Sequence, residues 1–161
     1  MVSISGRPAL DHTGTGVYGP GSMQQRDDIE ERNRGLAHQW FRAMTETDLA
    51  TLGALMADDV ELNTCPSVRA EPRRGHAEVL GRLERIFTSG RYYQPGTFRW
   101  DVHEVIAEGD TTAARVSATA EFPNGNPYEN VYLVWQRWRD AKMCYMLELF
   151  DPAHWSNQRN A

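Results

Sequence analysis

Residues 111–138, "TTAARVSATAEFPNGNPYENVYLVWQRW", are the main basis for predicting the fold class. Apolar residues recur at every second position on both sides of "PNGNP", and this period of two predicts β-strands. Proline, asparagine and glycine are the residues that tight turns favour, so "PNGNP" predicts a turn. The stretch therefore predicts two long antiparallel strands joined by a short connection.

Two flanking segments extend this pattern. "FRWDVHEVIAE" begins at Phe98 and "KMCYMLELF" begins at Lys142, and the turn sequences "GD" and "RDA" join them to the central strands. Successive short connections predict an antiparallel meander of four strands. A short earlier strand, "VELNTCP", is expected to stop at Pro66.

Three helices are expected before the long strands, because apolar residues there recur at spacings of three and four. The first is expected to begin at Asp27, and the others lie within "TETDLATLGALMADD" and "HAEVLGRLERIFTSG". This order predicts an α+β fold whose helices pack on one face of a bent antiparallel sheet.

The expected domain covers residues 27–155, and a chain of 161 residues fits one such domain. Residues 1–26 are rich in glycine, serine and threonine without any period, which predicts a flexible or extended N-terminal arm. Residues 156–161 are expected to form a C-terminal tail.

Composition excludes several classes of function. The net charge of −5 argues against nucleic-acid binding, which needs a basic field to meet the phosphate backbone. No apolar run is long enough to cross a bilayer and the N-terminus lacks a signal-peptide core, so we expect a cytoplasmic protein without a membrane partner. Cys65 and Cys144 are expected to be reduced thiols, and no metal is expected because metal-ligand spacings are missing.

The last predicted strand, within "CYMLELFDP", carries a carboxylate where an aliphatic residue is expected. Alternation places Cys144, Met146, Glu148 and Phe150 on one face. An ionised carboxylate on a covered face costs free energy unless it is paired. Glu148 is therefore either a solvated residue in a surface ion pair or a group in a functional site.

The segments "HQWFRAMTETDLATLGALMADDVELN" and "NPYENVYLVWQRWRDAKMCYMLELFD" resemble the nuclear transport factor 2-like superfamily, in its SnoaL-like polyketide cyclase and limonene-epoxide hydrolase branch. "YEN" at residues 128–130, followed by "ELF", is similar to small isomerase/cyclase proteins of phenazine biosynthesis. The resemblance covers residues 27–155. It implies a cone-shaped, curved antiparallel sheet that encloses a deep apolar pocket with the three N-terminal helices, and dimers through the outer face of the sheet.

Carried over residue by residue, the resemblance places Glu148 at the acid/base position of the cyclases and hydrolases, and so in the pocket. It matches Arg115 to the pocket arginine of the epoxide hydrolases and Asn63 to their water-holding asparagine. Their second catalytic aspartate falls on Ser117 and a water-holding tyrosine falls on Glu61, so the water-activating set is incomplete.

The alternation of "TTAARVSATAEF" leaves Arg115 and Ser117 on the face opposite Val116. A bidentate Arg115–Glu148 pair would hold the carboxylate charged, whereas an apolar pocket without that pair would raise its pKa. Tyr132 is a candidate donor to a substrate oxygen. The full set of expected substrate-binding residues is Tyr132, Trp40, Ser117, Val134, Met146, Phe150 and His103.

Each candidate also has a purely structural interpretation. Arg115 suits a solvated or ion-paired residue, and Asn63 suits a strand-end hydrogen bonder. A lone histidine such as His103 is more often structural or exposed, and Trp40 suits the core or a dimer interface. Asp151 suits a turn or capping acid at the strand end.

These observations predict a cofactor-independent isomerase or cyclase that uses Glu148 for general acid/base catalysis on a hydrophobic, oxygenated, polyketide- or terpenoid-like metabolite. The alternative is an epoxide hydrolase of the limonene-epoxide hydrolase type, with Glu148, Arg115 and Asn63 at its site. A second alternative is a non-catalytic ligand-binding or dimerisation module. Residues 128–138 are apolar on both faces of their strand, so a homodimer through the sheet is expected.

Overall fold

Six strands and four helices make up residues 20–161, the part of the chain that the computed structural model describes. The helices are α1 (Pro20–Glu46), α2 (Leu49–Leu55), α3 (His76–Thr88) and α4 (Pro152–Asn160). The strands are β1 (Met56–Asn63), β2 (Arg73–Arg74), β3 (Arg99–Glu108), β4 (Thr111–Glu121), β5 (Pro127–Arg139) and β6 (Lys142–Leu149). The expected α+β class is confirmed.

The four long strands, β3 to β6, form the expected antiparallel meander within a curved sheet of order β2-β1-β6-β5-β4-β3. "PNGNP" makes the turn between β4 and β5, where Gly125 adopts a φ of 87° that favours glycine. The Phe122 amide closes this turn by donating to the Asn126 carbonyl oxygen at 2.8 Å.

β1 runs parallel to β6, so the sheet is mixed. A hairpin forces its two strands to be antiparallel, whereas most of the domain lies between β1 and β6 and no short turn fixes their relative direction. The cone-shaped fold is confirmed with this one parallel pair inside it.

Helix α1 begins at Pro20, earlier than the sequence pattern predicts. Proline suits a first helical turn, because its missing N–H would have no partner there. Arg26 Nε lies 2.8 Å from Glu30 Oε1, one turn further along the helix. Residues 20–26 of the expected arm are therefore helical, and residues 1–19 lie outside the described part of the chain.

The expected C-terminal tail, residues 156–161, belongs mostly to helix α4. Asp151 caps this helix, because its Oδ1 accepts from two backbone N–H groups of the first turn at 2.9 and 3.0 Å. The Asn126 side chain donates to the Gln158 carbonyl oxygen at 3.1 Å and so ties α4 to the β4–β5 turn. The sequence pattern missed α4 because the helix has no fully buried residue and hence no apolar stripe.

Helices α1 to α3 lie against one face of the sheet, which we call the inner face. In β5 every second residue from Tyr128 to Trp138 is buried, and the residues between them are exposed. The outer face of the sheet is open to solvent and carries large apolar side chains: Ile106, Val131, Leu133, Trp135 and Leu149. No helix within residues 20–161 has the length and apolar character needed to span a membrane.

Candidate active site

A cavity of about 340 Å³ opens between α3, α4 and the inner face of the sheet. Two charged side chains, Glu148 and Arg82, line it. Its walls are mostly aromatic and aliphatic, and include Met44, Leu83, Ile86, Phe87, Tyr92, Tyr93, Phe98, Trp100, Tyr132, Phe150 and Trp155. The volume lies near the lower end of the range of about 300–1,000 Å³ that small-molecule pockets occupy.

The register of the sheet carries Glu148 to this cavity. Glu148 in β6 lies beside Val134 in β5, and Val134 lies beside Ala114 in β4. Both neighbours are buried on the inner face, so Glu148 lies on the same side. Its carboxyl group therefore faces the cavity, where the family resemblance places it.

Burial in these apolar surroundings raises the pKa of Glu148 from an ordinary value of 4.5 to about 7. The positive charge of Arg82 opposes this rise and offsets only part of it. Within residues 20–161, no hydrogen bond or ion pair holds the carboxylate in its charged form. A carboxyl group that titrates near neutral pH can both accept and donate a proton.

Three buried tyrosines surround this carboxyl group. Tyr132, in the cavity wall, shares a hydrogen bond of 2.5 Å with Tyr128 through their hydroxyl oxygens. Trp155 Nε1 donates to the Tyr93 hydroxyl at 3.0 Å. Burial raises the pKa of each tyrosine, and the nearby negative charge of Glu148 adds to the rise. The phenols therefore stay protonated, and when Tyr132 accepts from Tyr128 its own proton is free to be donated to a ligand oxygen.

Arg82 reaches the cavity from α3. Its guanidinium lies over the Tyr92 ring, with 4.3 Å between Cζ and the ring centroid. The sequence interpretation missed Arg82, although the helical spacing held a signal. Arg82 lies three residues after Val79 and four before Ile86, on the same face as the apolar stripe of α3.

Arg115 does not reach Glu148, so the expected Arg115–Glu148 pair is wrong. Arg115 pairs in register with Leu133 of β5, and both side chains are exposed on the outer face. The alternation of β4 placed Arg115 opposite the buried Val116, and the resemblance then assigned it to the pocket. Within the described residues, the cation that acts on the pKa of Glu148 is Arg82.

Asn63, Ser117 and His103 also lie away from the cavity, which corrects their expected roles. Asn63 Nδ2 donates to Glu61 Oε1 at 2.9 Å, and its neighbour in β6 is on the outer face. Ser117 Oγ lies 2.9 Å from His103 Nε2, also on the outer face. Successive residues of a strand face opposite sides, and in each case the inward position belongs to a neighbouring residue.

The other expected binding residues divide into wall and core. Tyr132 and Phe150 line the cavity, and their rings stack with 4.8 Å between centroids. Val134 and Met146 are buried in the core next to Glu148 and are not part of the wall. Trp40 is fully buried in the core, so its expected substrate contact is corrected as well.

Sequence reasoning also left several aromatic residues of the wall out of the expected binding set, among them Tyr93 and Trp155. Tyr93 lies in the loop after α3, where no periodic pattern indicates which side chains turn inward. Trp155 lies on α4, the helix that the pattern did not predict. The signal for Trp155 was the capping sequence at Asp151 followed by proline, which is typical of a helix start.

Comparisons with known proteins agree with this architecture. Residues 37–146 match the SnoaL-like domain family. An LEH-like epoxide hydrolase from M. tuberculosis shares 14% identity and a TM-score of 0.68, over 81% of this chain and 91% of that chain. A candidate ketosteroid isomerase from Kribbella flavida shares 21% identity and a TM-score of 0.62, over 76% and 79%. PrhC from Penicillium brasilianum shares 21% identity and a TM-score of 0.70, over 82% and 88%.

At these identities the solved structures show a common fold and no more. A comparison with curated proteins finds no match. The geometry of the cavity therefore carries the functional argument.

Proposed function

The chain belongs to the SnoaL-like domain family, whose members include isomerases, cyclases and epoxide hydrolases, and we propose that it is a cofactor-independent isomerase or cyclase. In this proposal Glu148 is the acid/base group. The substrate is a hydrophobic, oxygenated ring compound of the polyketide or terpenoid kind, which suits the aromatic walls of the cavity.

The observation that carries the proposal is a carboxyl group with a pKa of about 7 in the wall of an apolar cavity. Ionised Glu148 takes a proton from a carbon beside a substrate carbonyl, and the electrons of the C–H bond move toward the carbonyl oxygen to form an enolate. When the enolate is conjugated with a C=C bond, the protonated carboxyl group returns the proton to the far carbon of that system, and the double bond moves. In a cyclisation, the enolate carbon instead attacks a second carbonyl carbon of the substrate, the π electrons of that C=O bond move to its oxygen, and the resulting alkoxide takes the proton from Glu148. Such proton transfer by a positioned group contributes ~10²–10⁴-fold to the rate.

Tyr132 supports this chemistry as the donor to the developing enolate oxygen. Its hydroxyl belongs to the same cavity wall, and burial keeps its pKa well above the ordinary value. The rings of Trp100 and Phe150 pack against it with centroid distances of 4.7 and 4.8 Å. A donor held by packed rings needs little reorganisation when charge develops on the substrate.

The epoxide hydrolase alternative has less support. It needs Asn63 and Arg115 to hold and orient a water molecule beside Glu148, and both side chains lie on the outer face of the sheet. A ligand-binding module without catalysis uses the same cavity but needs no proton transfer by Glu148. Proton exchange at carbon separates this module from the proposed enzyme.

Deuterium exchange tests the proposal before the natural substrate is identified. The protein is incubated in D₂O with a panel of cyclic enones and 1,3-diketones, and NMR follows the loss of the exchangeable C–H signals. We expect the wild type to accelerate exchange of at least one compound, and Glu148→Gln to lower that rate by ~10²-fold or more while binding is retained. Glu129→Gln, an exposed residue of β5, is the matched control and should keep the wild-type rate.

Exchange by Glu148→Gln at the wild-type rate would contradict the acid/base role. Tight binding of the panel by the wild type without any exchange would favour the binding module instead. Thermal melts of both variants establish that they are folded.

The proposal also includes the assembly and the location of the protein. A homodimer through the outer face of the sheet would cover the large apolar side chains exposed there. A cytoplasmic setting suits the thiols of Cys65 and Cys144, neither of which is in a disulfide bond.

A further inference from the structure

Arg82 lines the cavity without an acidic partner. Within residues 20–161 no carboxylate forms an ion pair with it, whereas Arg73 pairs with Glu78 at 3.2 Å. Arg82 is half-buried, so its charge is partly removed from water. A partly desolvated cation without a counter-ion raises the free energy of the empty site, and an anionic ligand offsets this cost.

The guanidinium of Arg82 stacks on an aromatic ring of the cavity wall. One of its faces lies over the Tyr92 ring at 4.3 Å. The N–H donors of a guanidinium lie in its plane and point outward from its edge, so stacking on a ring face does not by itself engage all of them. Two parallel N–H groups match the two oxygen atoms of a carboxylate.

Arg82 lies near another arginine, Arg73, although the whole chain carries a net charge of −5. Burial and the like charges of Arg69 and Arg82 lower the pKa of Arg73. Glu148, the other charged group of the cavity wall, is not in contact with Arg82. The cavity wall thus holds a cation and an acid/base group that do not pair with each other, among mostly apolar side chains.

We propose that the cavity binds a carboxylate-bearing ring compound, whose carboxylate pairs with Arg82 while its ring system lies between the aromatic walls. This inference rests on the proposed function, because it names the substrate class of the same site. The ion pair fixes one end of the compound, so that the carbon that exchanges its proton faces Glu148. A single guanidinium suits a monoanion, and the small volume suits a compact ring system.

Matched acid and amide probes test the inference. Tryptophan fluorescence, to which Trp100 and Trp155 of the cavity wall contribute, measures the binding of 2-naphthoate and of 2-naphthamide at pH 8. The two probes have the same shape and differ in charge. We expect the wild type to bind the acid about 10-fold or more tightly than the amide, as a charge-assisted hydrogen-bond pair allows.

Three variants of α3 locate the cause of that preference. Arg82→Gln should lose the preference for the acid and leave amide binding unchanged. Arg82→Lys should keep a reduced preference, because it retains the charge and loses the planar fork. Arg85→Gln, an exposed arginine of the same helix, is the matched control and should bind like the wild type.

Equal binding of acid and amide by the wild type, or failure of both to bind, would overturn the inference. A preference that survives in a folded Arg82→Gln protein would also overturn it. If Arg82→Gln fails to fold, the ratio of acid to amide affinity in the wild type and in Arg82→Lys still tests the inference, because an unchanged ratio would contradict it.

The outcome is separable from that of the proposed function. Binding of the probes needs no turnover, so Glu148→Gln should keep the preference for the acid. Suppose that acid binding depends on Arg82 but that Glu148→Gln still exchanges substrate protons at the wild-type rate. The anion site would then be retained and the acid/base role of Glu148 would be rejected.

Discussion

Glu148 combines two properties that a surface glutamate lacks. It faces apolar walls, and within the described residues no counter-ion contacts it. Both protonation states are therefore populated near neutral pH, which general acid/base catalysis requires. The same burial costs stability, because the ionised carboxylate is poorly solvated.

The pH dependence of stability follows from this shift. The unfolded chain releases the Glu148 proton near pH 4.5, while the folded protein keeps it up to about pH 7. Stability is therefore lost as pH rises between these values, and the full cost, on the order of 3 kcal/mol, is present above pH 7. Glu148→Gln cannot ionise and should be more stable than the wild type by about that amount at pH 8, with little difference near pH 4.5.

Urea unfolding of both proteins at several pH values measures this difference. Glu129→Gln, exposed on β5, is the control and should follow the wild type throughout. A stability difference between Glu148→Gln and the wild type that does not change between pH 4.5 and 8 would show that Glu148 ionises normally in the folded protein.

The hydrogen bond between the Tyr132 and Tyr128 hydroxyl groups makes a contribution to the free energy of unfolding that can be measured. Tyr132→Phe leaves the buried Tyr128 hydroxyl without the partner it has in the structure, at a cost of ~1–3 kcal/mol. The double variant Tyr128→Phe/Tyr132→Phe removes both hydroxyl groups and should cost less than the sum of the single variants. Urea unfolding at pH 7 supplies the double-mutant cycle, and strict additivity would contradict a direct hydrogen bond.

Among the single residues, the sequence predicted Glu148, Tyr132 and Phe150 in the pocket, and it misplaced Arg115 and missed Arg82. For Glu148, the alternation of residues in β6 and the family resemblance both predicted the inner face of the sheet. For Arg115 they disagreed, and the structure follows the alternation, because every second residue of β4 is buried. Arg82 was missed because an arginine within an amphipathic helix usually lies at its solvated edge.

At the scale of elements, helix α4 completes the cavity from outside the meander. Asp151 caps it, and Trp155 donates to the hydroxyl of Tyr93, another residue of the cavity wall. The helix has no fully buried residue, so its hydrogen bonds and its cap provide much of its attachment. A change at its N-terminus should therefore affect the wall of the cavity.

Substitution of Asp151 tests this role. Asp151→Ala removes the acceptor for two backbone N–H groups and should cost ~0.5–2 kcal/mol of stability. Asp151→Asn keeps a side-chain oxygen that caps almost as well, and should remain close to the wild type. Urea unfolding gives the stability, and amide hydrogen exchange across α4 should accelerate in the alanine variant alone. Equal losses in both variants would assign the effect to the charge of Asp151 rather than to the cap.

Local patterns predicted the elements whose contacts are local. The meander and its turns followed from period-two alternation and turn residues, and the structure has them in order. The parallel pairing of β1 with β6 depends on contacts between segments far apart in the chain, which no local pattern contains. The early start of α1 lies in a segment of low apolar content, where periodicity gives no signal.

In the molecule as a whole, the two faces of the sheet differ because successive residues of each strand point to opposite sides. In β5 and β6 the inward residues build the core and the cavity, while the outward residues form an exposed apolar surface. On that surface Leu133, Trp135 and Leu149 are 58%, 45% and 42% exposed, respectively. A contiguous apolar patch of this kind favours association with another protein surface.

A homodimer through the outer face is the assembly that we predict from these exposures. A stable interface buries roughly 1,200–2,000 Å² in total, and an interface here would use the outer face of the long strands of the meander. Size-exclusion chromatography with light scattering at micromolar concentration should report a dimer for the wild type. Trp135→Glu should give a folded monomer, because it places a charge among the apolar residues of each facing surface. Met23→Glu, at an exposed apolar residue of α1, is the control and should remain a dimer. A monomeric wild type, or a Trp135→Glu protein that stays dimeric, would assign this face to another role.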